Sequence, residues 1–195
     1  RLPQLLSLLV TNGTKAGWNI HRTNSYEETA LVVESIAKKI QARRVVRSSE
    51  ELFRRMGIDQ IFRRSRIASV VLASGRQRSR ADLRELAWTA DLGISGVDYA
   101  IANTASCVIL PRKGIARLTS LAPPVFVALV EVDQIVESID DLLAIRRWEN
   151  LRTRGRFPLS MTLISGPSRT ADIEFTLTTG VHGPGEVHLI IIGNE

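Results

Sequence analysis

Two apolar runs constrain this chain more than anything else in it. Residues 125–130 read Val-Phe-Val-Ala-Leu-Val, and residues 187–192 read Val-His-Leu-Ile-Ile-Ile. Apart from His188, neither run offers a polar face. A strand of that kind must be covered on both sides, so it needs layers of other structure above and below it. Shorter apolar runs at 44–46, 67–72, 92–94, 99–102, 107–110 and 159–164 are bounded by Gly, Asp, Asn, Ser or Pro, as strands are. Helically spaced segments lie between them. Strands alternating with helices predict an α/β fold with a mainly parallel sheet, and 195 residues suit a single layered domain over 1–195.

The helical pattern is punctuated by recognisable caps. An N-terminal helical segment occupies about 1–16; it lacks a small-residue cleavage pattern and is read as an amphipathic helix rather than a signal peptide. The chain begins with Arg1, so a native start further upstream is expected. Residues 18–22 alternate like a half-buried strand. Ser25 followed by Glu28 is a capping-box signature, ahead of a stripe of Leu31, Val32, Ile36, Ala37 and Ile40. Ser48 or Ser49 is expected to cap a helix holding Leu52, Phe53 and Met56 and stopping at Gly57. Another helix is expected over 79–88. The longest is expected over 132–151, with Ile135, Ile139, Leu142, Leu143 and Ile145 inward.

Charge and cysteine content exclude several functions. The chain carries 26 Lys and Arg against 20 acidic residues. Fourteen of the basic and four of the acidic residues fall within 38–84, which makes that region basic and leaves the remainder mildly acidic. No nucleic-acid motif accompanies it, so the basic stretch reads as a solvated or docking face. No apolar run approaches the roughly 20 residues of a membrane-spanning helix. The single Cys107 sits in an apolar run, excludes an internal disulfide or a cysteine-held cluster, and fits a small buried side chain in a reducing cytoplasm. Gly93 and Gly96 lack dinucleotide spacing, and no P-loop lysine follows.

Two polar stretches stand out from this scaffold. The first runs from Ser165 through Gly166, Pro167, Ser168, Arg169, Thr170, Asp172 and Glu174 to His182, which is flanked by Gly180 and Gly183. If Ser168 or Thr170 caps a short helix, Asp172 and Glu174 stand in its first turn, and its free N–H groups together with Arg169 suit a carboxylate or phosphate. The same residues also alternate, Ile173, Phe175 and Leu177 against Glu174, Thr176 and Thr178, which is a strand period. The helix is the expectation favoured here. His182, Asp172 and Glu174 are the candidates for proton handling. His188 is expected to be packed, and it forms no metal set with His182. The second stretch, 91–106, ends in Asn103, Thr104 and Ser106, small polar groups able to line the opposite wall of a ligand site.

In order and content, residues 91–110, 165–174 and 180–184 together resemble the lactate-utilization (LUD) domain family. The resemblance implies a fold similar to ribose-phosphate isomerase and the CoA-transferases. It also implies a part in bacterial L-lactate oxidation to pyruvate, with no cofactor on this chain, iron–sulfur clusters on one partner subunit, and a further subunit besides. Where the family commonly carries an acidic residue and then Thr-Gly, this chain has Asn103-Thr104-Ala105. Asn103 cannot act as a carboxylate nucleophile, and Ala105 adopts positive φ less cheaply than glycine. Two other readings stay open: an enzyme or sensor for a phosphorylated or CoA-linked small molecule, and a structural assembly protein.

Overall fold

The computed structural model describes residues 1–73, 78–111, 117–153, 160–171 and 177–193. In chain order its elements are α1 (Leu2–Ala16), β1 (Asn19–Thr23), α2 (Tyr26–Lys39), β2 (Arg44–Arg47), α3 (Glu51–Met56), α4 (Ile58–Arg64) and β3 (Ala68–Val71). There follow α5 (Arg80–Trp88), β4 (Leu92–Gly96), β5 (Tyr99–Ile101), β6 (Ser106–Ile109), α6 (Leu118–Leu121) and β7 (Val125–Glu131). After a 3₁₀ turn at Val132–Gln134 come β8 (Ile135–Val136), α7 (Ile139–Arg152), β9 (Thr162–Ile164), β10 (Arg169–Ala171), β11 (Leu177–Thr179) and β12 (Glu186–Ile192).

The fold is α/β, built on a six-stranded sheet of order β1-β12-β7-β4-β2-β3 in which every neighbouring pair is parallel. The two apolar runs form its centre as β7 and β12. Alternate residues of β7 serve opposite faces. Val125, Val127 and Leu129 join the core under α2, α3 and α4, whereas Phe126, Ala128 and Val130 join the core under α1 and a second sheet. That is why these strands show no polar side.

The second sheet has the order β8-β5-β6-β9 and is mostly antiparallel. Its inner residues, among them Ala100, Cys107 and Ile109, pack against the main sheet. Its outer residues Ile101 and Val108 pack on Leu142 of α7. The runs at 99–102 and 107–110 therefore form a hairpin in a separate layer and are not strands of the parallel sheet. A four-residue turn joins them, too short for the crossover that parallel pairing needs. Thr162–Ile164 is a partly exposed strand of this second sheet rather than a buried strand of the main one.

Local signals account for most helix boundaries. Ser25 Oγ accepts from Glu28 N at 3.1 Å, as the capping-box pattern predicts. Within α2 the inward residues are Ala30, Val33, Ile36 and Ala37, whereas Leu31 is exposed. Gly57 ends α3 at φ 61, but neither Ser48 nor Ser49 caps that helix. Glu50 occupies the cap, and Ser48 is buried with its hydroxyl 3.1 Å from Ser95 Oγ. The helix expected from 132 begins at Ile139, where Ser138 and Asp141 form a reciprocal capping box. Ile135 is buried in β8 rather than in the helix; of the stripe members within α7 only Leu142 is buried, and Leu143 is 47% exposed.

Where a short helix is expected after Ser168, Arg169–Ala171 is a strand that pairs antiparallel with Leu177–Thr179. Pairing gives these three residues backbone partners that a one-turn helix would leave mostly unsatisfied. Asp172 and Glu174, expected in the first turn of that helix, lie outside the described residues.

Candidate functional site

The structure joins part of the two-walled site expected from sequence. Thr104 Oγ1 lies 2.8 Å from Ser106 Oγ, which lies 2.6 Å from Ser165 Oγ. This row of hydroxyls links the β5–β6 turn to the exit from β9. The turn is braced from behind by α1 and its exit. Asn12 Nδ2 donates to the carbonyls of Ala102 and Asn103 at 3.0 Å each, and Trp18 Nε1 donates to Ala105 O at 3.0 Å. Ala105 holds φ 48, a left-handed conformation that glycine adopts more cheaply, and is fully buried there. The side chains of Asn103 and Thr104 are exposed, and that of Ser106 is buried.

Arg169 stands at the C-terminal end of α1. Gly17 ends that helix at φ 97, and a Cβ placed on it would run into Arg169 Nη2. A cation beside a helix C-terminus complements its dipole and the last carbonyls. Ser168 roots the loop carrying His182: its N–H donates to Pro184 O at 2.8 Å, and its hydroxyl accepts from His182 N at 3.3 Å. The His182 ring is exposed. Thr170 lies in β10, and nothing is described of its side chain; Asp172 and Glu174 lie outside the described residues. The N–H groups of Gly185 and Glu186 both donate to Pro124 O, which sets this loop at the amino ends of β7 and β12. Open parallel sheets bind small ligands at the opposite end, outside the carboxyl ends of their strands.

A crevice of about 230 Å³ lies at that opposite end. From β2 the chain steps outward to β3, then returns to β4 and continues through β7 to β12. The direction of winding therefore reverses between β2 and β4. Connections diverge at such a point and leave a cleft. Glu50 follows β2, Gly96 and Val97 end β4, Leu129 and Glu131 end β7, and Arg55 reaches over from α3. Tyr26 OH donates to Glu131 Oε1 in a short hydrogen bond and accepts from Arg55 Nη1 at 3.0 Å. The Arg55 guanidinium also lies over the Tyr26 ring. The bond to Glu131, followed by burial, raises the pKa of the Tyr26 phenol. Gln134 accepts from Glu131 N and donates to Val97 O, both at 2.8 Å, and so ties β7 to β4 across the cleft.

Sequence reasoning missed this cleft. The available signals were acids at strand ends, Glu50 beyond β2 and Glu131 closing the apolar run of β7, together with Gly96 at the end of β4. Among the described residues no group of His, Cys, Asp and Glu could hold a metal ion. Cys107 is buried, and burial pushes its thiol pKa up, so it stays protonated.

A partly buried row of Glu186, His188 and His21 crosses the sheet edge on the α2 side, with His188 the buried member. Glu186 Oε1 lies 2.9 Å from His188 Nε2, and His188 Nδ1 lies 3.0 Å from His21 Nε2. Burial lowers both imidazole pKa values; at His21 the neighbouring His188 and Lys39 lower it further, and at His188 Glu186 partly opposes the shift. The unfolded chain titrates near 6.5 and takes up protons that the folded pair resists. Stability is therefore full above about pH 6.5 and falls as the pH drops towards the lower folded-state values. Urea unfolding between pH 7.5 and 5.0 should show this decline, and His188→Leu should flatten it. An unchanged slope in the variant would remove the pair as its cause.

A model of the LUD domain matches residues 6–192. The chain is 27% identical over 191 residues to lactate utilization protein C of Halalkalibacterium halodurans, covering 97% of this chain and 79% of that one. It is 30% identical over 168 residues to lactate utilization protein C of Shouchella clausii, covering 86% and 69% respectively. A crystal structure of a DUF162 family protein from Deinococcus radiodurans superposes with a TM-score of 0.63 over 99% of both chains, at 21% identity, and so shares the fold.

Proposed function

This chain belongs to the LUD domain family, and from that membership we propose that it serves bacterial L-lactate utilization as a subunit without a redox centre of its own. The observation that carries the reading is likeness along nearly the whole chain to proteins named lactate utilization protein C. The chemistry of the chain supports it. Its one cysteine is buried with a raised pKa, which suits packing rather than cluster ligation and leaves iron–sulfur chemistry to a partner. The exposed Arg169 and His182, with Thr104 and Ser165 beside the α1 terminus, then serve as a surface that meets a partner subunit. They sit at the amino end of the sheet, away from the cleft.

The test is genetic and biochemical. A host strain lacking this chain should fail to grow on L-lactate as sole carbon source and recover when the chain is restored. Tagged protein from lactate-grown cells should retain an iron–sulfur subunit, and the double variant Arg169→Ala, His182→Ala should lose it. Normal growth of the deleted strain on L-lactate would end the proposal.

A further inference from the structure

We propose that the amino end of the main sheet is a docking surface for an anionic lipid bilayer. The six strands run in one direction, so their amino ends share one end of the molecule. The helices that feed these strands run back to the same end. There α2 ends at Lys39, α4 at Arg64, α5 at Trp88 and α6 at Leu121. The entries to β2 and β3 add Arg43, Arg44 and Arg66. Lys39, Arg43, Arg44, Arg63, Arg64 and Arg66 are all exposed. Acids at this end are fewer. Glu34 accepts from Ser65 in a short hydrogen bond and pairs with Lys38 at 2.8 Å. Asp91 accepts from the N–H groups of Arg43 and Arg44 at 2.8 Å each, and Glu85 stands one turn back on α5. The surface they leave is net positive.

Helix stability explains only part of this pattern. A cation near a helix C-terminus complements the dipole, which accounts for Lys39, Arg63 and Arg64. Arg43 and Arg44 lie outside any helix. Arg66 holds φ 58, a turn that glycine makes more cheaply, so the turn alone does not call for its side chain. At the same end Trp88 is 64% exposed and Leu121 is 41% exposed, across the sheet from α2 and α4. The packing of Leu83, Ala87, Leu118 and Ala122 brings together the helix ends that carry them. Arg44 joins the two sides. It donates to Thr89 Oγ1 in a short bond and to Thr89 O at 3.4 Å, directly after Trp88. A bilayer surface answers both sets of side chains. Anionic headgroups meet the Lys and Arg residues, the Trp88 ring rests at headgroup depth, and Leu121 reaches the acyl boundary. A nucleic-acid backbone would meet the cations but give Leu121 nothing to bury against. The contact is peripheral, since no helix among the described residues is long and apolar enough to cross a membrane.

Co-sedimentation of the purified chain with lipid vesicles tests the proposal. Vesicles of phosphatidylcholine mixed with phosphatidylglycerol should bind it, and phosphatidylcholine alone should not. Raising sodium chloride from about 0.1 M to about 0.5 M should release it, because exposed charges are screened. Each cation near an anionic surface contributes roughly fivefold, so the triple variant Arg63→Gln, Arg64→Gln, Arg66→Gln should bind about a hundredfold more weakly. These side chains are exposed, and an unchanged circular dichroism spectrum would show that the variant is folded. Tryptophan emission should shift to shorter wavelength on binding. Trp88→Ala should abolish that shift although Trp18 and Trp148 remain. The proposal is overturned if the mixed vesicles leave the chain in solution or if phosphatidylcholine alone binds it as well. A folded triple variant that binds like the parent, or a full emission shift in Trp88→Ala, would also overturn it. So would displacement of the vesicles by a DNA duplex of random sequence at equal phosphate, which would assign this end to nucleic acid. None of the substituted residues belongs to the surface around Arg169 and His182, so the two proposals fail separately.

Discussion

Gly93→Ala should destabilise the protein by about 2–4 kcal/mol, a cost in the upper range for overpacking a filled interior. Gly93 lies in β4, fully buried between β2 and β7. A Cβ at this position would overlap the carbonyl oxygen of Thr119 and stand 3.0 Å from both the Thr119 carbonyl carbon and Pro123 Cγ. The obstacle is backbone of α6, so no side chain can swing aside. Either α6 lifts, opening the packing of Leu118 and Ala122 against Val46 and Leu83, or β4 bends within its parallel ladder. For a chain of this length the melting temperature should fall by roughly 5–15 °C. Gly57→Ala is the matched control. Gly57 holds φ 61 with nothing near its absent Cβ, so only backbone strain is added, about 1 kcal/mol. If the two variants unfold at the same denaturant concentration, α6 does not press on β4 as described.

Gly93 also marks a limit of reading sequence alone. It drew attention as half of a failed dinucleotide pattern, whereas its role is to let a distant helix approach. The central strands β7 and β12 were legible because burial on both faces leaves a local trace, the unbroken apolar run; the edge strand β1 was legible from its alternation instead. A cap was legible where hydroxyl and carboxylate stand three apart at Ser25, whereas the same spacing at Ser79 and Asp82 marks a capping box that sequence reasoning passed over. The same signal at Ser138 and Asp141 was hidden by the apolar spacing that begins at Ile135. At Arg169–Ala171 two periods competed, and pairing with Leu177–Thr179 decided in favour of the strand. The hydroxyl row of Thr104, Ser106 and Ser165 was anticipated as facing walls because both segments are unusual locally. The cleft was not, because its parts come from Tyr26, Glu50, Arg55, Gly96 and Glu131. None is unusual among its neighbours, and only strand order brings them together.

One contact ties the stability of the fold to the shape of that cleft. Arg47 ends β2 and is nearly buried, while Asp59 opens α4 with its side chain 44% exposed. Arg47 Nε and Nη2 donate to the two Asp59 oxygens at 3.1 and 2.6 Å, and Nη1 donates to Ser48 O at 3.0 Å. The guanidinium lies 5.1 Å from the Phe53 ring centroid. Asp59→Ala would leave a buried cation with one carbonyl and one ring face. Breaking a fully buried pair costs about 3–5 kcal/mol, and water reaching the half-exposed Asp59 site reduces this to about 1.5–3 kcal/mol. Arg47→Met removes the charge along with its desolvation cost, so it should be the milder change, and the double variant should recover part of the loss in Asp59→Ala. Additive losses across this cycle would mean that the pair is not coupled. The consequence for the cleft follows from position. Arg47 fixes the carbonyl of Ser48, and two residues later Glu50 enters the cleft wall. Asp59→Ala should therefore loosen that wall, read as faster amide exchange at 48–50, even under conditions where the chain remains fully folded, whereas a substitution equally costly to stability elsewhere in the core, such as Leu142→Ala in α7, should not.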